Sequence, residues 1–191
     1  MEQAKKRDHK IFITDIAIDK VPYVAVDELS RTLCEAIQNE HKEILRISQT
    51  KNDSNEVLTL MPINLKETPI RVLGNEFRVD PNTHPQAISL FSRSNRQEIM
   101  YLHNHPSTNS FSLVDIMAFI SQGEISLLSV VTNQGEVYIL YKSSKYDFSV
   151  SSELFKEIYM NYQAGVLEHG AAVKKFLKIC MKGGVIYAES N

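Results

Sequence analysis

The chain has 191 residues, of which 43% are apolar and 23% charged, which suits one domain with a sizeable core plus an appendage. Its net charge of −2 gives no electrostatic footprint for nucleic acid, so direct nucleic-acid binding is not expected. No run approaches the ~18 apolar residues that span a membrane, the first residues carry no secretory pattern, and two distant cysteines, Cys34 and Cys180, read as buried thiols of a reducing, cytoplasmic protein.

Lys5, Lys6, Arg7 and Lys10 form a short basic cluster that reads as a solvated tail. The β-branched run "KIFITDIAI" (10–18) is a candidate strand within an N-terminal extension over residues 1–19. Leu29, Leu33, Ile37, Ile44 and Leu45 share one face of a helix over 26–48, with Asp27 as its cap. A polar breaker at 49–55 precedes two strands, over 56–63 and 70–80. A helix over 82–94 is capped by Asn82 or Thr83 and has Pro85 in its first turn. A strand over 98–103 ends at His103, and Ser112 caps a helix over 112–123 that stops at Gly123. Residues 125–143 form a hairpin that turns at Asn133-Gln134-Gly135. From Ser151 on the chain reads as helical, broken at Gly165, Gly170 and Gly183-Gly184. The elements predict an α/β (α+β) domain over 20–147 and a helical C-terminal extension over 148–191.

The chemistry concentrates in "MYLHNHPSTNSFSLVDI" (100–116). His103 and His105 are two apart at a strand end, so both imidazoles project to one side. Asp115 follows three residues after the helix cap Ser112, and a short loop can fold that helix start over the strand end. Two imidazoles and a carboxylate, with a fourth position for water, are what a catalytic zinc takes from protein. Pro106 makes the chain leave the sheet after the second histidine, and Asn104 faces away, free to bind the backbone. Either half alone has a plain explanation, as solvent histidines or as an acidic helix start; the combination points to a metal.

His103-Asn104-His105-Pro106 followed by Ser112-x-x-Asp115 resembles the JAMM signature of the JAB/MPN/Mov34 metalloproteases. The "HNHPS" spelling is closest to bacterial RadC-like and phage-associated members. The resemblance covers about 25–147 in element order and implies a JAB/MPN-like, cytidine-deaminase-like mixed sheet flanked by helices. It further implies zinc (Zn2+) on His103, His105 and Asp115, an upstream glutamate as general base, and oxyanion stabilisation by Ser112. One departure is visible: "STNSF" (107–111) is one residue shorter than the family's usual loop, which touches the substrate edge of the site more than the ligands.

Glu43, Glu56, Glu67 and Glu76 are the upstream candidates for the base. Glu43 reads as a solvent residue on the long helix, Glu67 as part of a turn, and Glu76 as exposed after Gly74-Asn75. Glu56 opens an apolar strand at the core edge and matches the family's order, so it is the chosen base. His84 reads as a capping or surface residue, and His169 is not expected to hold a second metal. Phe111 anchors its loop or lines a cleft, and Met100 and Tyr101 belong to the core or the sheet faces.

The expected function is a zinc metallopeptidase or isopeptidase acting on a protein or peptide, with a ubiquitin-like tail as one candidate substrate. The competing expectations are a non-catalytic JAMM-fold binding module and a RadC-like accessory of a phage or mobile element. The full ligand set together with Glu56 favours the enzyme.

Overall fold

In the computed structural model, which describes residues 10–190, period-two alternation divides each strand's apolar side chains between two sheet faces. The strands are β1 (Val57–Pro62), β2 (Ile70–Leu73), β3 (Ile99–His105), β4 (Ile125–Thr132), β5 (Val137–Lys142) and β6 (Val185–Glu189). They form one sheet in the order β2-β1-β3-β4-β5-β6. Only β3 and β4 run parallel, which makes the sheet mixed.

The helices are α1 (Asp15–Lys20), α2 (Arg31–Lys51), α3 (Pro85–Arg93), α4 (Leu113–Ser121), α5 (Phe148–Gln163) and α6 (His169–Ile179). One sheet face buries Val57, Met100, Leu102, Leu127 and Val131 against α2 residues such as Ile37, Ile44 and Leu45. On the opposite face α4, α5 and α6 pack Phe119, Ile158 and Phe176 against Leu128, Val130 and Leu140. There α3 covers the β1–β2 end, with Ala87 and Leu90 against Leu58, Leu60 and Val72. The parallel pair needs a crossover, and α4 supplies it. Among the described residues no helix is long and apolar enough to cross a membrane. Cys34 and Cys180 are buried free thiols.

Several elements differ from the sequence reading. The strand expected at 10–18 is absent: residues 10–14 are irregular and Thr14 caps α1 by accepting the Ala17 N–H. Ile13 and Ile18 pack into the core without a ladder, while Ile16 is exposed. Lys5, Lys6 and Arg7 lie outside the described residues. Ser30, not Asp27, caps α2, because its hydroxyl accepts the Leu33 N–H. The strand expected over 70–80 ends at Leu73, where Asn75 Oδ1 gathers the Phe77 and Arg78 amides into a loop. His84, rather than Asn82 or Thr83, precedes α3, and Pro85 fixes its first position.

The largest correction is at the C-terminus, which is not a purely helical extension over 148–191. α5 and α6 share a core with α4, β4 and β5, and β6 then pairs antiparallel with β5. Gly184 makes this return turn at φ +74, where an added Cβ would run into the Lys145 carbonyl.

Lys142 is 1% exposed at the end of β5. Its Nζ donates to the Gln122 carbonyl just past α4 at 2.8 Å and lies 4.9–5.0 Å from the Phe119 and Tyr146 ring centroids. Burial, assisted by Arg96 and opposed by Glu124, lowers its pKa to about 8. The folded state therefore holds fewer protons than the unfolded state above that pH, and stability gains as pH rises from about 8 towards 10.5. We expect Lys142→Met to abolish this gain. Urea midpoints at pH 7.5 and 10 for both proteins check it; an equal gain in the variant would reject the assignment.

Candidate metal centre

β3 runs through both histidines instead of stopping at His103, with His103 opposite Val130 and His105 opposite Thr132. Alternation puts both imidazoles on the α4 face and Asn104 on the α2 face. Asp115 is fixed by a reciprocal capping box: Ser112 Oγ accepts the Asp115 N–H at 3.1 Å, and Asp115 Oδ2 accepts the Ser112 N–H at 2.7 Å. The cap that starts α4 thereby aims its carboxylate at the strand end. Asp115 Oδ1 lies 3.6 Å from His103 Nε2, Oδ2 lies 3.4 Å from His105 Nε2, and the two Nε2 atoms are 3.0 Å apart.

The donor set fits a metal. Ligands ~2.05 Å from a tetrahedral ion stand about 3.3 Å apart; the two Nε2 atoms come near that spacing, and each has a different Asp115 oxygen close to it. The ligand atoms lie within 4.8 Å of one another, a grouping that could hold an ion. His105 Nδ1 donates to the Asn109 carbonyl at 3.1 Å, which leaves the Nε2 lone pair facing the centre. His103 Nδ1 is buried and unpartnered, although it faces the Ser129 main chain.

Burial and mutual pairing shift all three groups. Burial lowers His103 to about 4 against the pull of Asp115. Burial would also lower His105, but the hydrogen bond and charge of Asp115 outweigh it and raise the pKa. Burial works to raise Asp115, yet His105, His103 and Ser112 together hold the carboxyl well below the usual range.

Glu56 stands immediately before β1, 9% exposed, and opens into the cleft of about 760 Å³ that holds His103, His105, Ser112 and Asp115. Its main chain is clamped by Asn75 and Gly74 at 3.2 and 2.8 Å. Burial raises its pKa to about 7; the His105 charge opposes the shift, Asp115 adds to it, and the Val79 main chain opposes it. The other glutamates are placed elsewhere: Glu43 faces Arg46 on the outside of α2, Glu67 pairs with Arg93, and Glu76 is exposed at the cleft rim. All five residues singled out from the sequence, Glu56, His103, His105, Ser112 and Asp115, line one cleft.

Asn104, fully buried behind the centre, holds β1, α2 and the β4–β5 turn together. Its Oδ1 accepts the Val57 N–H at 2.7 Å, and its Nδ2 reaches Asn133 Oδ1 at 2.8 Å, the Asn55 carbonyl at 3.2 Å and Ser48 Oγ at 3.3 Å. Asn104→Leu should cost at least about 2 kcal/mol of stability, because it leaves the Val57 donor and the Asn133 acceptor buried and unpaired. Urea denaturation checks this; a loss within experimental error would show that the network adapts.

Sequence reasoning missed three contributors. Tyr101, read as a core or sheet-face residue, lines the cleft and meets the His103 ring edge-on at 5.6 Å. Burial, helped by the Asp115 and Glu56 charges, raises its phenol pKa. His169 arrives from α6, accepts the Leu113 N–H at the start of α4 at 3.3 Å, and packs on Tyr162. Lys10, assigned to a solvated tail, also lines the cleft. No local pattern marks any of these, since each is placed by tertiary contacts. Phe111 both anchors its loop, at 2% exposure, and lines the cleft. His41 is no ligand: it is buried on α2, held neutral by burial, with Nε2 2.6 Å from Ser129 Oγ.

No family model, no curated protein and no solved structure matches this chain.

Proposed function

We propose that the protein is a zinc-dependent peptidase or isopeptidase of the JAB/MPN/Mov34 kind. The observation that carries this reading is the convergence of His103, His105, Asp115, Ser112 and a buried glutamate in one cleft. Zinc on the two Nε2 atoms and the Asp115 carboxylate would supply Lewis acidity towards a water and a carbonyl oxygen.

The chain's own groups do the rest. Glu56, with its pKa brought to about 7 by burial, takes a proton at its carboxylate near neutral pH and returns it to the departing amine. Ser112 Oγ accepts from the Asp115 amide, and its own hydrogen remains to donate to the substrate carbonyl oxygen as negative charge develops there. The substrate is a protein or peptide, with a ubiquitin-like tail as one candidate.

The test is incubation of zinc-loaded protein with ubiquitin-like proteins carrying C-terminal fusions and with a library of internally quenched peptides. Cleavage by the wild type that fails in Glu56→Gln supports the reading. A protein that holds zinc and cuts none of these substrates is a binding module instead.

A further inference from the structure

Residues 10–13 cross the end of the sheet beside the metal centre and tie three chain segments together. Ile11 donates its N–H to the Pro106 carbonyl at 2.8 Å, next to His105, and its own carbonyl accepts from Asn133 Nδ2 at 2.7 Å. Ile13 donates to Ser54 Oγ at 3.1 Å, and Gln49 Nε2 donates to the Ile13 carbonyl at 3.2 Å. Lys10 Nζ donates to the Asp53 carbonyl and to Asp53 Oδ2, both at 2.8 Å, and to Asn55 Oδ1 at 3.3 Å. Asn133 Nδ2 also donates to the Ser54 carbonyl at 2.9 Å.

What this strap holds is the turn that leads into Glu56. Asp53 and Ser54 are consecutive non-glycine residues with φ of +50° and +57°, a left-handed pair that side-chain-bearing residues disfavour. Such a conformation persists where surrounding contacts over-determine it. Lys10 gathers three oxygen acceptors of this turn, its own side chain 18% exposed and the Asp53 carboxylate at the surface. The same strap is bonded to Pro106, so one short segment refers the glutamate's turn to the strand that carries both histidines.

We propose that Lys10 is a positioning residue of the active site: acting through the 53–55 turn, it fixes where the Glu56 carboxylate stands relative to His105 and Asp115. What Glu56 does there rests on the hydrolase reading above; the tie itself rests on the hydrogen bonds. A displaced base lowers the rate without weakening metal or substrate binding, since misplacement by about 1 Å can cost on the order of 10²-fold.

The experiment compares zinc-loaded full-length Lys10→Met and Lys10→Arg, each alone and combined with Glu56→Gln. Amide hydrogen exchange is one readout, and turnover of a quenched peptide cut by the wild type is the other. Lys10→Met should speed exchange at 54–57 about tenfold, leaving zinc content and protection at 103–115 unchanged. It should lower kcat by about 10- to 100-fold at constant KM, and Lys10→Arg should restore most of it. In the Glu56→Gln background it should add nothing further. Unchanged exchange at 54–57, or an equal loss of turnover in both backgrounds, would overturn the proposal. If the wild type cuts no peptide, the hydrolase reading fails, while the exchange comparison still decides whether Lys10 holds the turn.

Discussion

Glu56→Gln should retain one metal per chain and lose turnover by on the order of 10²–10⁴-fold, the range that a positioned general acid–base group supplies. Glutamine keeps the shape and can still accept from the Val79 main chain, but it cannot take up a proton. Two pH signatures accompany the loss. A base must be ionised to act, so kcat/KM of the wild type falls as pH drops through the Glu56 pKa. That limb lies at or below about 7, because a bound cation opposes the upward shift caused by burial. The variant lacks the limb. Stability of the metal-free protein moves the other way. The folded pKa is raised from 4.5 to about 7, so the stabilisation from neutral, buried Glu56 is fully present below 4.5 and is lost as pH rises through about 7. Glu56→Gln should therefore gain thermal stability relative to wild type between pH 4.5 and 7. A retained limb, or full turnover in the variant, removes Glu56 from its role.

Asp115→Ala should strip the metal and weaken α4 together. The carboxylate faces both Nε2 atoms and also accepts the Ser112 N–H, so alanine removes one of three ligands and half of a capping box. The helix cap is worth about 0.5–2 kcal/mol. The metal affinity should fall by more than the ~10–100-fold that loss of an outer-sphere partner costs. Asp115→Asn separates the effects, since its amide oxygen can still accept from Ser112 while offering the ion no charge. Mass spectrometry of zinc content beside denaturation curves reads both. Zinc retained by Asp115→Ala would remove Asp115 from the ligand set, whereas none bound by the wild type when zinc is supplied would mean that the loop at 107–111 does not support a metal site.

The clustering of His103, His105 and Asp115 was legible because its parts are local. Alternation along one strand orients His103 and His105, and Ser112-x-x-Asp115 is a helix-start pattern that builds its own geometry. The α+β class was likewise readable from element order, whereas the mixed sheet was implied only by the family resemblance. What failed depended on distant partners. "KIFITDIAI" has strand composition but no free ladder to join, so Thr14 starts a helix instead. Val185–Glu189 is too short to announce itself after two glycines, and only the open edge of β5 makes it a strand. Lys10 and His169 reach the cleft through contacts from outside the stretch that carries the motif, where spacing holds no information.

His103, His105 and Asp115 come from a single strand–loop–helix unit, whereas Glu56 stands just before a neighbouring strand, after a turn bonded to residues 10–13. Under the proposed function, metal capture and seating of the base would therefore draw on different parts of the chain: the first needs one contiguous unit, and the second also needs residues 10–13 in place.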